Sequence, residues 1–266
     1  MQLFANLSAL AGFFDDLVEV DVKNPNPGPR EEVQTVNLNE YGRIADPSGL
    51  ALHLLDHTRR LLPPADVPAF DHFIQRVFTV EIQGRQQNGS HQAHARGNLH
   101  PESPGLNFDL LKQITAEKGG CSVLLFRRAL AHPMPEAEQQ ALFEFGAFVQ
   151  LCDDIFDLWF DRQNGTVTLA TAWAERHDPE RLCQIFENQV GTVRQTFRQM
   201  PYPKRRVETA LGVVHFLVAI TRVCLCHYID LQKKRGTLPL DSRADMVVDM
   251  DRWRNRWRAG VQIWRY

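Results

Sequence analysis

Residues 143–161 read FEFGAFVQLCDDIFDLWFD, and this stretch decides the fold class. At about 100° per residue, its polar side chains from residue 150 onward share a sector of roughly 100° on one helix face. These side chains belong to Gln150, Asp153, Asp154, Asp157 and Asp161. The other positions from Phe145 to Phe160 are apolar, and a helix that is apolar around most of its girth is normally buried. The pattern therefore predicts aspartates that point into the interior or into a cavity.

Three of these aspartates form a carboxylate ladder, defined here as Asp153, Asp157 and Asp161 at i, i+4 and i+8. Buried carboxylates that repel one another need cations. Magnesium prefers oxygen ligands and fills its remaining positions with water and phosphate oxygens. The carboxylate ladder thus predicts a magnesium site for a phosphorylated, apolar ligand. A solvated acidic face is the alternative, which the many aromatic residues on this helix disfavour.

A second acidic cluster lies in LSALAGFFDDLVEV, at residues 7–20. Asp15, Asp16 and Glu19 follow an apolar helical run there, and Asp15 and Glu19 share a face. Acidic residues at the end of an amphipathic helix are common, so this cluster alone indicates little. Facing the carboxylate ladder across a cavity, it would hold metal ions around a diphosphate.

Composition narrows the class of protein. The 266 residues carry a formal net charge of -2, with a pI near 6.6, which predicts no global attraction to nucleic acid or to anionic membranes. The first residues lack the basic start of a signal peptide, and no apolar stretch is long enough to suggest a membrane span. We therefore expect a cytoplasmic protein without stable membrane insertion. The five cysteines lack zinc-type spacing and are interpreted as reduced core residues.

Helical periodicity dominates the whole chain, and no alternating strand pair is evident. The pattern predicts helices at about 3–20, 48–62, 65–87, 107–132, 167–176, 179–199, 204–235 and 242–260, and an acidic helix that starts at Pro133-Met134-Pro135 and runs through Asp161. It predicts a long loop over 88–105, where Gly, His, Asn and Pro are frequent. No linker or repeat divides the chain, so residues 1–266 are expected to form one all-α domain, a single helical bundle with a central cavity.

Three motifs together resemble the class I isoprenoid synthase superfamily, which includes trans-prenyltransferases and terpene cyclases. They are KGG at 118–120, FGAFVQLCDDIFD at 145–157 and DRQNGTVTL at 161–169. The DDIFD run fits the second aspartate-rich motif of that family, and DDLVE at 15–19 is similar to the first. The resemblance implies three Mg²⁺ ions, with Mn²⁺ as a substitute, held by Asp15, Asp16, Glu19, Asp153, Asp157 and Asp161. It implies that the diphosphate of the substrate contacts Lys118, Gln150, Arg265 and Tyr266.

The branch of the superfamily is decided by smaller features. The three positions of the carboxylate ladder are similar to the second metal motif of terpene cyclases, and the terminal Arg265-Tyr266 is similar to their arginine–tyrosine pair. The arginine pair that follows the first motif in chain-elongating prenyltransferases is absent from VDVKNPNPGPREE at 20–32. The resemblance thus favours a terpene synthase, with catalysis depending on Asp15, Asp153 and Asp157. A trans-prenyltransferase that adds isopentenyl diphosphate is the alternative.

One departure concerns the start of the chain. Only fourteen residues precede Asp15, where the superfamily has several helices. We expect either a start upstream of Met1 or a second copy of the chain, in a homodimer, that completes the cavity wall. A non-catalytic helical relative that binds lipid or a partner is a further alternative, favoured by the basic, aromatic RWRNRWRAGVQIWRY at 252–266. Because both acidic motifs are intact, the enzyme is preferred.

Overall fold

The computed structural model of the chain describes residues 47–95, 107–128, 130, 132–249 and 260. These residues are 81% helical and contain no strand, which confirms the all-α prediction. They fall into two compact units, the first drawn from 47–78 and 125–133, the second from 79–124 and 134–249. A single domain over residues 1–266 stays a prediction. The predicted helix 3–20 lies outside the described residues.

The described residues form nine helices. They are α1 (Pro47–Leu61), α2 (Val67–Ala95), α3 (Phe108–Arg128), α4 (Glu136–Phe156), α5 (Leu158–Asn164), α6 (Leu169–Glu175), α7 (Pro179–Gln199), α8 (Lys204–Arg235) and α9 (Arg243–Met246). The limits of α7 and α8 agree with the predicted ones. The Asp178 side chain accepts a hydrogen bond from the Arg181 N–H at the start of α7, and Gly236 ends α8 with φ 78°.

Three predicted limits are wrong. The helix expected over 107–132 ends at Arg128. The expected loop over 88–105 begins too early, because α2 continues to Ala95. Residues 88–95 include Gln, Ala and His, which tolerate a helix. Their one glycine, Gly89, costs only about 1 kcal/mol. The expected helix 242–260 is also interrupted, since α9 ends at Met246 and Val247 is extended at φ -81° and ψ 117°.

The first unit is built on α1 and the first turns of α2. Its buried side chains are apolar, namely Leu55, Leu62, Phe70, Phe73, Ile74 and Val77. An ion pair of 2.7 Å between Arg59 and Asp71 joins the two helices beside this core. The chain reverses after α1, where the Asp66 N–H donates to the Pro63 carbonyl oxygen at 2.9 Å.

The second unit is organised around α4, which packs against α7 and α8. Only residues 200–203 separate α7 from α8, so the two form an antiparallel hairpin. The core that they share with α4 includes the buried Phe148, Ile155, Phe186, Val193, Val214 and Leu225. A buried Tyr228 hydroxyl on α8 donates to the Ile155 carbonyl oxygen at 3.2 Å, which fixes α8 against the last turn of α4.

The acidic helix predicted from Pro133-Met134-Pro135 through Asp161 is broken at Asp157. This residue lies between α4 and α5, with φ -93° and ψ 8°. Two backbone bonds nevertheless cross the break, from the Asp157 N–H to the Asp153 carbonyl oxygen at 2.9 Å and from the Asp161 N–H to the Asp157 carbonyl oxygen at 2.8 Å. These two bonds join the three residues of the carboxylate ladder in succession and keep neighbouring members about one helical turn apart.

One described helix, α8, is long and apolar enough to cross a bilayer by length and composition. Its most apolar window of 18 residues has a mean hydropathy of 1.9. A core helix passes the same test, and 44% of the apolar window is buried inside the protein. Leu211, Val218 and Leu225 supply part of that burial in the core of the second unit. Length and apolar character alone therefore do not separate a membrane span from a core helix here.

Candidate functional site

The KGG motif and the FG of the acidic helix meet where α3 crosses α4. A Cβ added to Gly119 would lie within 3.0 Å of the Gly146 carbonyl group, and a Cβ added to Gly146 would lie equally close to the Gly119 carbonyl group. Gly120 faces the Phe143 ring in the same way. Glycine is needed at this crossing because the two backbones touch and leave no room for a side chain. The contact brings α3 beside the acidic part of α4.

Asp154 is the buried member of the acidic cluster, with 5% of its surface exposed. The Thr115 hydroxyl of α3 donates to Asp154 Oδ2 at 3.1 Å, and Gln150 Nε2 donates to Asp154 Oδ1 at 3.0 Å. Burial raises the pKa of Asp154 to about 6, while these hydrogen bonds and the charge of Lys118 oppose the rise. Asp154 thus joins α3 to α4 and is less suited to contact a ligand.

Asp161 is half-buried on α5, and its pKa depends on the other aspartates of the acidic cluster. Burial, together with the negative charges of Asp154, Asp157 and Asp153, raises its pKa to about 7, while Lys118 opposes the rise. Four carboxylates and one lysine therefore share a single electrostatic environment. A bound cation would relieve the repulsion among these carboxylates.

Asp153 and Asp157 are exposed, so the prediction of burial in the interior is wrong for these two, and their place in a cavity stays a prediction. The reason is that α4 buries its opposite face, including Phe148 and Ile155, against α7 and α8. Among the residues described, no group of three or more His, Cys, Asp or Glu side chains is arranged to hold a metal ion. The donor set of the carboxylate ladder is nevertheless all carboxylate oxygen, which is the chemistry that Mg²⁺ and Mn²⁺ prefer.

The structure brings together five of the predicted site residues on α3, α4 and α5. They are Lys118, Gln150, Asp153, Asp157 and Asp161. Gln150 Nε2 lies 3.4 Å from Asp153 Oδ2, which places the amide between the two adjacent aspartates. The other predicted residues lie outside the described residues. They are Asp15, Asp16, Glu19, Arg265 and Tyr266.

Arg162 was missed by the sequence reasoning, although it follows Asp161 directly. Its Nε donates to Glu175 at 2.5 Å and its Nη1 to Asp241 at 2.8 Å, which ties α5 to α6 and to the segment before α9. A surface pocket of about 430 Å³ lies beside these groups. The lining of the pocket includes no aspartate of the carboxylate ladder, so it is distinct from the predicted central cavity. No local pattern signals Arg162, because its partners are 13 and 79 residues away.

Replacing Thr115 with valine should lower the free energy of unfolding by about 2 kcal/mol, because it removes a hydrogen bond to a buried carboxylate. Urea unfolding measures the change. Thr192→Val is the matched control, since the Thr192 hydroxyl donates only to the Asn188 carbonyl oxygen at an exposed position, and its effect should stay below about 0.5 kcal/mol. Equal stability of the Thr115→Val variant and the wild type would contradict the role given to Asp154.

Comparison of the chain with family models, with curated proteins and with solved structures finds no match. The functional inference therefore depends on the chemistry of the site residues and on the resemblance of the three motifs.

Proposed function

We propose that this chain is a class I terpene synthase, which ionises an allylic prenyl diphosphate with the help of Mg²⁺. The observation that carries the proposal is the carboxylate ladder, three aspartates about one helical turn apart, with Asp157 at the break between α4 and α5. The raised pKa of Asp161 supports it, since like charges crowded in this way favour a bound cation. The exposure of Asp153 and Asp157 leaves both carboxylates accessible to a ligand.

In the proposed reaction the carbon–oxygen bond to the diphosphate breaks, and its electron pair leaves with the diphosphate oxygen. The remaining allylic cation then loses a proton to give a hydrocarbon or adds water to give an alcohol. The carboxylate ladder would hold Mg²⁺, which would supply stabilisation of the negative charge that develops on the leaving group. Lys118 on α3 and Gln150 on α4 would contact the diphosphate.

The role of the first acidic cluster, Asp15, Asp16 and Glu19, stays a prediction. These residues would bind metal ions from the other side of the diphosphate. Arg265 and Tyr266 are likewise proposed as contacts of the diphosphate. A cytoplasmic location also stays a prediction.

The test is a turnover assay on the full chain with Mg²⁺ and geranyl, farnesyl or geranylgeranyl diphosphate. We expect diphosphate release together with an apolar product, both lost when a chelator removes the metal. Gas chromatography and a phosphate-release assay measure the two products. Absence of release with all three substrates, with either Mg²⁺ or Mn²⁺, would refute the proposal.

The same assay with added isopentenyl diphosphate separates the alternative enzyme. A longer prenyl diphosphate that forms only with this five-carbon substrate would identify a trans-prenyltransferase instead. Binding of the substrate without any turnover would favour a non-catalytic relative. Neither alternative has an observation among the described residues that favours it over the synthase.

A further inference from the structure

The helix α8 carries a stripe of polar and apolar side chains in which two large hydrophobic residues stay exposed. Val213 is 55% exposed and Phe216 is 53% exposed, the largest values among the large hydrophobic residues described in the second unit. At about 100° per residue, they share a sector of about 80° with three further residues. The whole stripe consists of Arg206, Thr209, Val213, Phe216 and Ile220. Adjacent exposed apolar side chains are typical of an interaction surface.

The charged residues around this stripe are mostly positive. Residues 188–229 contain six Lys or Arg and a single acidic residue, Glu208, although the whole chain has a net charge of -2. Four of the six basic side chains are exposed, namely Arg198, Lys204, Arg205 and Arg206. None of these four forms an ion pair with another residue in the part of the chain that the structure describes. The stripe therefore begins in a local excess of positive charge.

We propose that this stripe of α8 docks the protein on the surface of an anionic lipid bilayer. Val213 and Phe216 enter the boundary between headgroups and acyl chains, and Arg205 and Arg206 contact the lipid phosphates. Interfacial helices combine these two features, an apolar face for the acyl region and basic residues for anionic headgroups. Arginine side chains are long enough to reach the headgroups from a helix that lies in the interface.

A bilayer suits this surface better than a second copy of the chain does. A symmetric dimer through the stripe would offer Arg205 and Arg206 few acidic partners, because Glu208 is the single acidic residue of residues 188–229. An anionic membrane supplies the opposite charge instead, and each basic residue close to it strengthens binding by about fivefold. The docking surface uses none of the carboxylate ladder, so the two proposals stand or fall separately.

The experiment is co-sedimentation of the full chain with vesicles at physiological salt. One vesicle preparation is phosphatidylcholine alone, and the other also contains phosphatidylserine. We expect binding to the anionic vesicles only. The double variant Arg205→Gln, Arg206→Gln should bind them about 25-fold more weakly, because two charges near the surface are lost. The double variant Val213→Ser, Phe216→Ser should lose about tenfold, because its apolar anchor is gone.

The matched control removes two charges from the other end of the same helix. Lys233→Gln, Lys234→Gln should bind the anionic vesicles as the wild type does, because Lys233 and Lys234 lie outside the stripe. An equal loss in this control would overturn the proposal, as would equal binding of the wild type to both vesicles. A dimer that becomes monomeric in Val213→Ser, Phe216→Ser would also overturn it and would identify a second copy as the occupant. Circular dichroism checks that each variant is folded.

Discussion

Replacing Gly146 with alanine is expected to lower the free energy of unfolding by about 2 kcal/mol, although alanine is the better helix former. The added methyl group would meet the Gly119 carbonyl group and the Gly120 Cα, which are backbone atoms that no side-chain rotation can move. The two helices must therefore separate, and Lys118 moves away from the aspartates with α3. Thermal unfolding should show a loss of about 4 to 8 °C, and turnover should fall with it.

The control for this prediction has the opposite sign. Gly191 lies within α7, and a Cβ there would have no atom within 4 Å. Gly191→Ala should therefore stabilise the protein by about 0.5 to 1 kcal/mol, because alanine loses less backbone entropy in a helix. Similar stability of the Gly146→Ala and Gly191→Ala variants would contradict the close contact of α3 with α4.

If the proposed function holds, replacing Asp153 with alanine is expected to lower kcat/KM for the prenyl diphosphate by about 10² to 10³-fold, because it removes a proposed metal ligand from the place where charge develops. The fold should be retained, since Asp153 is exposed and lies on the face of α4 away from α7 and α8. Steady-state kinetics and circular dichroism measure the two effects. We also expect Mg²⁺ to raise the melting temperature of the wild type and to raise that of Asp153→Ala by less. We expect the same loss of turnover for Asp15→Ala.

Asp230→Asn provides the matched control for Asp153→Ala. Asp230 is exposed on α8, so its replacement removes one carboxylate outside the proposed site. Turnover and the effect of Mg²⁺ should both match those of the wild type. Full turnover in both Asp153→Ala and Asp15→Ala would remove the basis for a metal-bound diphosphate.

The aspartates of α4 and α5 show which features of the site could be predicted from the sequence. The spacing of Asp153, Asp157 and Asp161 correctly predicts three side chains on successive turns, because helical geometry depends only on separation along the chain. The same spacing could not show that Asp154 is buried and bound to Thr115 while Asp153 is exposed. Burial depends on which helix packs against each neighbouring face, and α3 is distant in the sequence.

The sequence by itself determined the all-α class and the limits of α7 and α8, since capping residues, glycines and apolar periodicity act within a few residues. Only the tertiary structure decided the break at Asp157, the backbone contact of Gly119 with Gly146, and the partners of Arg162. Each of these features depends on the packing of elements against one another or on partners far apart in the chain. Local sequence rules carry no information about such contacts, because the free energy that selects them comes from burial shared among distant elements.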